Sequence, residues 1–152
     1  MEFSSTIIPS ITYLLRNISD DKALILFKSI AVSNGDKYIP LSEMNLTTKQ
    51  YYTRISGLIA AGLIRRHRGR YFLTLLGKVV YNSQMTIGKT LSYYWKLRAI
   101  ESIGMSSNTK LGEEEIIQLI DALVDDHTIK DILIKPISSG YSKRNTVLLN
   151  QK

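Results

Sequence analysis

Residues 41–74, LSEMNLTTKQYYTRISGLIAAGLIRRHRGRYFLT, decide the fold of this chain. The pattern predicts a helix of one to two turns over 41–45, with Leu41 and Met44 inward, followed by a turn. Thr47 and Gln50 then stand three apart as a capping-box pair. The threonine hydroxyl can accept from the third helical amide while the glutamine side chain reaches back to the cap. A second helix therefore begins at Thr48. Along it Tyr51, Ile55, Leu58 and Ile59 recur at three- and four-residue steps and make a core face. Thr48, Lys49, Tyr52, Thr53 and Ser56 occupy the opposite face. Gly62 is placed to close the helix, because glycine takes a positive φ without a Cβ clash. Leu63 and Ile64 return to the core. Residues 65–74 then read as a β-hairpin turning at Arg68-Gly69, with Tyr71 and Leu73 inward.

Upstream, Ser19-Asp20-Asp21 followed by KALILFKSIAVS predicts a capped helix with Leu24, Phe27, Ile30 and Ala31 buried, ended by Asn34-Gly35-Asp36. Residues 37–40 suit a short edge strand, where Pro40 is tolerated. Downstream, Thr74 can cap one long helix over 75–103, with Leu76, Val80, Ile87, Leu91, Tyr94 and Leu97 near one stripe. Residues 104–112, GMSSNTKLG, form a linker. EEEIIQLIDALVDD is amphipathic, with Ile116, Leu119, Ile120 and Leu123 on one side, and HTIKDILIK continues as a second short helix. The tail 136–152 is polar apart from Val147-Leu148-Leu149 and is expected to be mobile. These boundaries divide the chain into an N-terminal segment 1–18, a domain 19–83, a helical extension 84–135 and the tail.

Composition narrows the chemistry. The absence of cysteine removes disulfides, thiolate metal sites and redox sensing together, and fits a cytoplasmic setting. No apolar run approaches the roughly 18 residues of a membrane-spanning helix. The opening MEFSSTIIPSITYLLR carries Glu2 and Pro9 and lacks a basic start, which predicts folded structure rather than a signal peptide. The net charge of +7 is unevenly spread. Residues 41–100 hold ten Lys or Arg against the single acid Glu43, whereas residues 101–135 hold three Lys against eight acids. A basic half that coincides with a helix–turn–helix–hairpin pattern points to a polyanion on that face.

The order of elements predicts a mainly α protein with a small β-hairpin: a winged helix-turn-helix followed by a C-terminal helical extension. In that arrangement the exposed half of the second helix meets base edges in the major groove. Those residues are Thr48, Lys49, Tyr52, Thr53 and Ser56. Arg54, at the edge of the face, is expected to grip backbone. Arg65, Arg66, Arg68 and Arg70 on the hairpin can reach phosphates or a narrow minor groove. GLIRRHRGRYFLTLLGKVV, preceded by the helix-turn-helix, resembles the winged-helix transcriptional regulators of prokaryotes, closest to archaeal members of the ArsR/MarR-like superfamily. The resemblance covers residues 19–83 and is most specific at GLI 62–64 and YFLTLLGK 71–78. It implies a homodimer on palindromic double-stranded DNA, often with a small-molecule inducer whose identity the sequence does not give. By that resemblance Lys49, Tyr52 and Thr53 take the recognition role and Arg66, Arg68 and Arg70 the wing role. Without cysteine the chain departs from the metal-sensing ArsR pattern.

Other functions have less to stand on. His67 and His127 are the two histidines, and no Gly-x-Ser-x-Gly or phosphate-cradling glycine loop occurs, so no catalytic residue is assigned. Asp125, Asp126 and His127 are adjacent, and neighbours on a helix point about 100° apart, which argues against one shared metal ion. No cofactor is expected. Tyr93, Tyr94 and Trp95 suit a dimer interface, an intramolecular core or a ligand site. The alternatives to a regulator are a winged-helix adaptor that holds protein partners and a non-specific, chromatin-type DNA binder.

Overall fold

The computed structural model describes residues 8–35, 44–104 and 111–137. The expected edge strand at 37–40, most of the short helix at 41–45, the bulk of the 104–112 linker and the tail beyond Ile137 lie outside the described residues. The protein is mainly helical with a small two-stranded antiparallel hairpin. In order come α1 (Ile11–Arg16), α2 (Asp21–Ser33), α3 (Thr48–Ala60), β1 (Ile64–His67), β2 (Arg70–Leu73), α4 (Leu75–Ser92), α5 (Tyr94–Gly104) and α6 (Glu113–Leu123). A further helix, α7, occupies 127–137. No helix among the described residues is long and apolar enough to cross a membrane. The chain divides into two compact units, Met1–Ser83 and Gln84–Lys152, and the boundary falls inside α4.

In the first unit, local chemistry sets each helix end. Asp20 caps α2 by accepting from the amides of Lys22 and Ala23, and Asn34 closes the helix with φ 44°. The buried stripe of α2 is Ala23, Leu26, Phe27 and Ile30. Leu24 and Ala31, expected inside, are only half-buried. The Thr47–Gln50 capping box is present with both bonds, so α3 does start at Thr48. Its far end is a Schellman arrangement: the Gly62 amide bonds to Ile59, the Leu63 amide bonds to Leu58, and Gly62 has φ 72°. The buried line of α3 runs through Tyr51, Ile55 and Leu58 to Ala61. Ile59, expected in the core, is 42% exposed because it lies about 100° round the helix from Leu58.

The hairpin pairs Ile64 with Leu73, Arg65 with Phe72, Arg66 with Tyr71 and His67 with Arg70. Arg68 and Gly69 both have positive φ, 49° and 79°, as a two-residue type I′ turn requires. Ile64, Tyr71 and Leu73 face a core formed with Ile18, Leu26, Phe27, Ile30, Ile55, Leu58, Ala61 and Leu63. Thr74 then ties three elements together. Its hydroxyl donates to the Gly62 carbonyl at 2.5 Å and accepts from the Gly77 amide at 2.9 Å, capping α4. Gly77 is buried against the Leu63 carbonyl so closely that a Cβ there would collide with it.

The long helix expected over 75–103 is broken at Tyr93. The Tyr93 amide bonds three residues back to Thr90, which tightens one turn before α5 resumes. In the second unit, Tyr93, Leu97 and Ile100 pack with Ile116, Leu119, Ile120 and Leu123 of α6, with Val124, and with Ile129 and Leu133 of α7. Glu115 accepts from the Gly112 amide at the start of α6. Asp126 caps α7: it accepts from the Thr128 and Ile129 amides and pairs with Lys89 at 3.1 Å. The stripe expected along 76–97 is only partly buried. Val80 and Leu97 pack inward, whereas Leu76, Ile87, Leu91 and Tyr94 are exposed.

Candidate nucleic-acid interface

Burial of Ile55 and Leu58 turns the opposite side of α3 to solvent. Thr48, Lys49, Tyr52, Thr53 and Ser56 are all exposed there. The Lys49 side chain makes no ion pair or hydrogen bond with another described residue. The Thr53 hydroxyl donates to the Lys49 carbonyl at 2.8 Å. That bond consumes the proton and leaves the γ-methyl and the oxygen lone pairs facing outward. Thr53 is therefore fitted to an apolar contact or to a donor, not to an acceptor. Tyr52 stands edge-on to Tyr51, with ring centres 5.3 Å apart, which fixes its direction.

Arg54 is occupied otherwise. Its guanidinium bonds to the Asp20 carboxylate at 3.2 Å and to the Gln50 carbonyl at 3.3 Å. It thereby ties α3 to the start of α2 rather than standing free at the edge of the face. Partial burial works against ionisation of Asp20. The Ala23 amide, the Arg54 guanidinium and the Lys22 amide outweigh it and hold the carboxyl below its ordinary value of 3.8. Near Asp20, Lys22 also reaches the Asn45 carbonyl at 3.0 Å, which anchors the turn that leads into α3.

The hairpin sorts its basic residues by face, because strand neighbours alternate. Arg66 continues the side of Ile64 but lies beyond the core, fully outward. Arg65, His67, Phe72 and Arg70 share the other side. There Phe72 organises the group: the Arg65 guanidinium lies 5.8 Å from its ring centre, and the His67 ring stands edge-on at 6.4 Å. Arg70 donates to the Gly35 carbonyl at 3.0 Å. Gly35 has φ 83° and sits on the Phe72 ring so tightly that any Cβ would overlap it. The strand pair is thus fastened to the end of α2. The side chains of Arg66 and, at the turn, Arg68 make no hydrogen bond or ion pair with another described residue.

The sequence could place Asp20 or Ser19 as a cap, but not Asp20 as the partner of Arg54, 34 positions away, and it held no signal for the Gly35–Phe72 contact. The structure brings the α3 face and the hairpin into one compact unit. Two groups of cations differ: the side chains of Lys49, Arg66 and Arg68 have no partner among the described residues, and Arg54, Arg65 and Arg70 have partners within the protein. No protein-family model, curated protein or solved structure matches this chain.

Proposed function

We propose that the first unit is a winged helix-turn-helix that binds double-stranded DNA in a sequence-specific way, as part of a homodimeric transcriptional regulator. The observation that carries the reading is the exposed, uncompensated polar face of α3 followed directly by an arginine-bearing type I′ hairpin. α3 enters the major groove with Lys49, Tyr52, Thr53 and Ser56 toward the base edges. Lys49 donates to guanine O6 or N7, and the Thr53 methyl meets a thymine methyl. Arg66 and Arg68 take phosphates or a narrowed minor groove beside it.

Arginines clustered on a hairpin repel one another unless an anion is close, and a DNA backbone supplies one charge every ~1.7 Å of axis. Arg54, Arg65 and Arg70 hold the frame: they fix α3 on α2 and the hairpin on the α2 terminus. Selection of tight-binding duplexes from a random pool tests the proposal. Enrichment of a common site supports it, and recovery of duplexes no tighter than the starting pool refutes it. The adaptor reading draws on a different observation, the exposed Ile25 and Val32 on the outer side of α2. It gains ground if the chain shows no affinity for duplex DNA at moderate salt.

A further inference from the structure

Ile87, Leu91, Tyr94 and Trp95 share one face of α4 and α5, at about 100° per residue. That face lies away from the Tyr93, Leu97 and Ile100 side that packs into the second unit. Their exposures are 63, 67, 49 and 80%. With roughly 150–250 Å² carried by each aromatic residue, the four leave on the order of 500 Å² of mostly apolar surface in contact with water. That is toward the upper end of the largest apolar patch on a single chain, and patches of this size are often functional.

We infer that this ridge is the surface on which a second copy of the chain docks, with the two helices antiparallel about a two-fold axis at Leu91. Three observations select that occupant and that geometry. First, the exposed ridge supplies a large part of the ~800 Å² per partner that a standard stable interface buries. Second, its centre is uncharged: Gln84, Ile87, Gly88, Leu91 and Ser92 precede Trp95, and Arg98 at the end is already paired with Glu101 at 3.3 Å. A self-complementary surface with a charge at its centre would repel its own image. Third, the shapes match only in the antiparallel sense. Leu91 then meets Leu91, Trp95 meets the other copy's Ile87, and Tyr94 meets Gly88, where a Cβ position has open space around it. A parallel pair would set Trp95 on Trp95 and leave a gap at Gly88.

The inference deepens the regulator reading and rests on it only for its purpose, since two copies present two α3 helices to a palindrome. It is therefore tested without DNA. Light scattering on the full chain should give twice 17.2 kDa at tens of micromolar. Trp95, the chain's single tryptophan, should shift its emission to longer wavelength on dilution as its indole returns to water. Because the chain has no cysteine, Leu91→Cys should cross-link efficiently under mild oxidation, while Ser102→Cys, eleven positions along, should not.

Leu91→Glu should weaken association at least ~100-fold, the effect of like charges facing each other across an interface. Leu91 is exposed in the single chain, so the far-UV circular dichroism of that variant should be unchanged. A single-chain mass overturns the inference. So does equal cross-linking at 91 and 102, which marks a parallel or unspecific contact, and so does a Leu91→Glu protein that still associates normally. Each of these outcomes leaves the DNA proposal standing. Loss of DNA binding with an intact dimer does the reverse.

Discussion

Removing Arg66 and Arg68 together should flatten the salt dependence of DNA binding by an amount that can be worked out from the side-chain inventory. Of the basic residues on α3 and the hairpin, Arg54 is bound to Asp20, Arg70 to the Gly35 carbonyl, and Arg65 lies over Phe72. Lys49 is directed to base edges, so Arg66 and Arg68 are left to neutralise phosphates, two per chain and four in a dimer. A slope of about −0.9 per neutralised phosphate then gives roughly −3.6 for log affinity against log salt. Between 50 and 200 mM salt the affinity should fall by about 10². With both arginines replaced by alanine these contacts are gone, the slope should be close to zero, and the same change in salt should leave the affinity nearly unchanged. Fluorescence anisotropy with a labelled duplex, repeated at several salt concentrations, measures both slopes. A wild-type slope near zero, or a double variant that keeps the wild-type slope, refutes the assignment of these side chains to the backbone.

Four further outcomes follow from the framework. Asp20→Ala removes the α2 cap and should cost about 1 kcal/mol by chemical denaturation; Asp20→Asn keeps a capping oxygen and should cost less, because the lost ion pair is half exposed and worth under ~1 kcal/mol. Since the folded Asp20 carboxyl is held below 3.8, its stabilising effect is complete above that pH and lost as the pH falls through the lowered value; Asp121 beside Lys130 and Asp126 beside Lys89 act in the same direction, so thermal stability should decline in acid below about pH 4 and the decline should be smaller in Asp20→Asn. Gly77→Ala should destabilise by about 1–3 kcal/mol, although alanine is the better helix former, because its methyl meets the Leu63 backbone; a more stable Gly77→Ala protein would show that the close approach is not real. Leu58→Ala, at a fully buried position, should cost roughly 2–5 kcal/mol and abolish DNA binding only by unfolding the first unit.

Much of this framework was legible in the sequence wherever it rests on short-range chemistry. The Thr47–Gln50 box, the Asp20 cap, the positive φ of Gly62 and the Arg68-Gly69 turn each depend on residues within a few positions of one another, and each is present. What depended on distant packing was misplaced. Ile59 fits a helical period as well as Leu58 does, but only the position of α2 and the hairpin decides which of them is covered. The break at Tyr93 carries no proline or glycine. Tyr93 itself packs with Leu97 in the core of the second unit, a contact that local sequence does not signal. The basic residues show the same limit. Their number was countable from the sequence, yet which of them are committed to Asp20, Phe72 and Gly35 depends on contacts 7 to 35 positions apart.

The most direct test of the central claim, that α3 reads base edges, is competition binding of a selected duplex against a scrambled one. Wild-type protein and Lys49→Ala and Thr53→Ala variants would be compared under one salt condition. The account predicts a wild-type preference of at least about 10³ for the selected site. Each variant should lose about 1–3 kcal/mol on that site and little on the scrambled duplex. Equal wild-type affinity for both duplexes, or variants that weaken on both by the same factor, would contradict it.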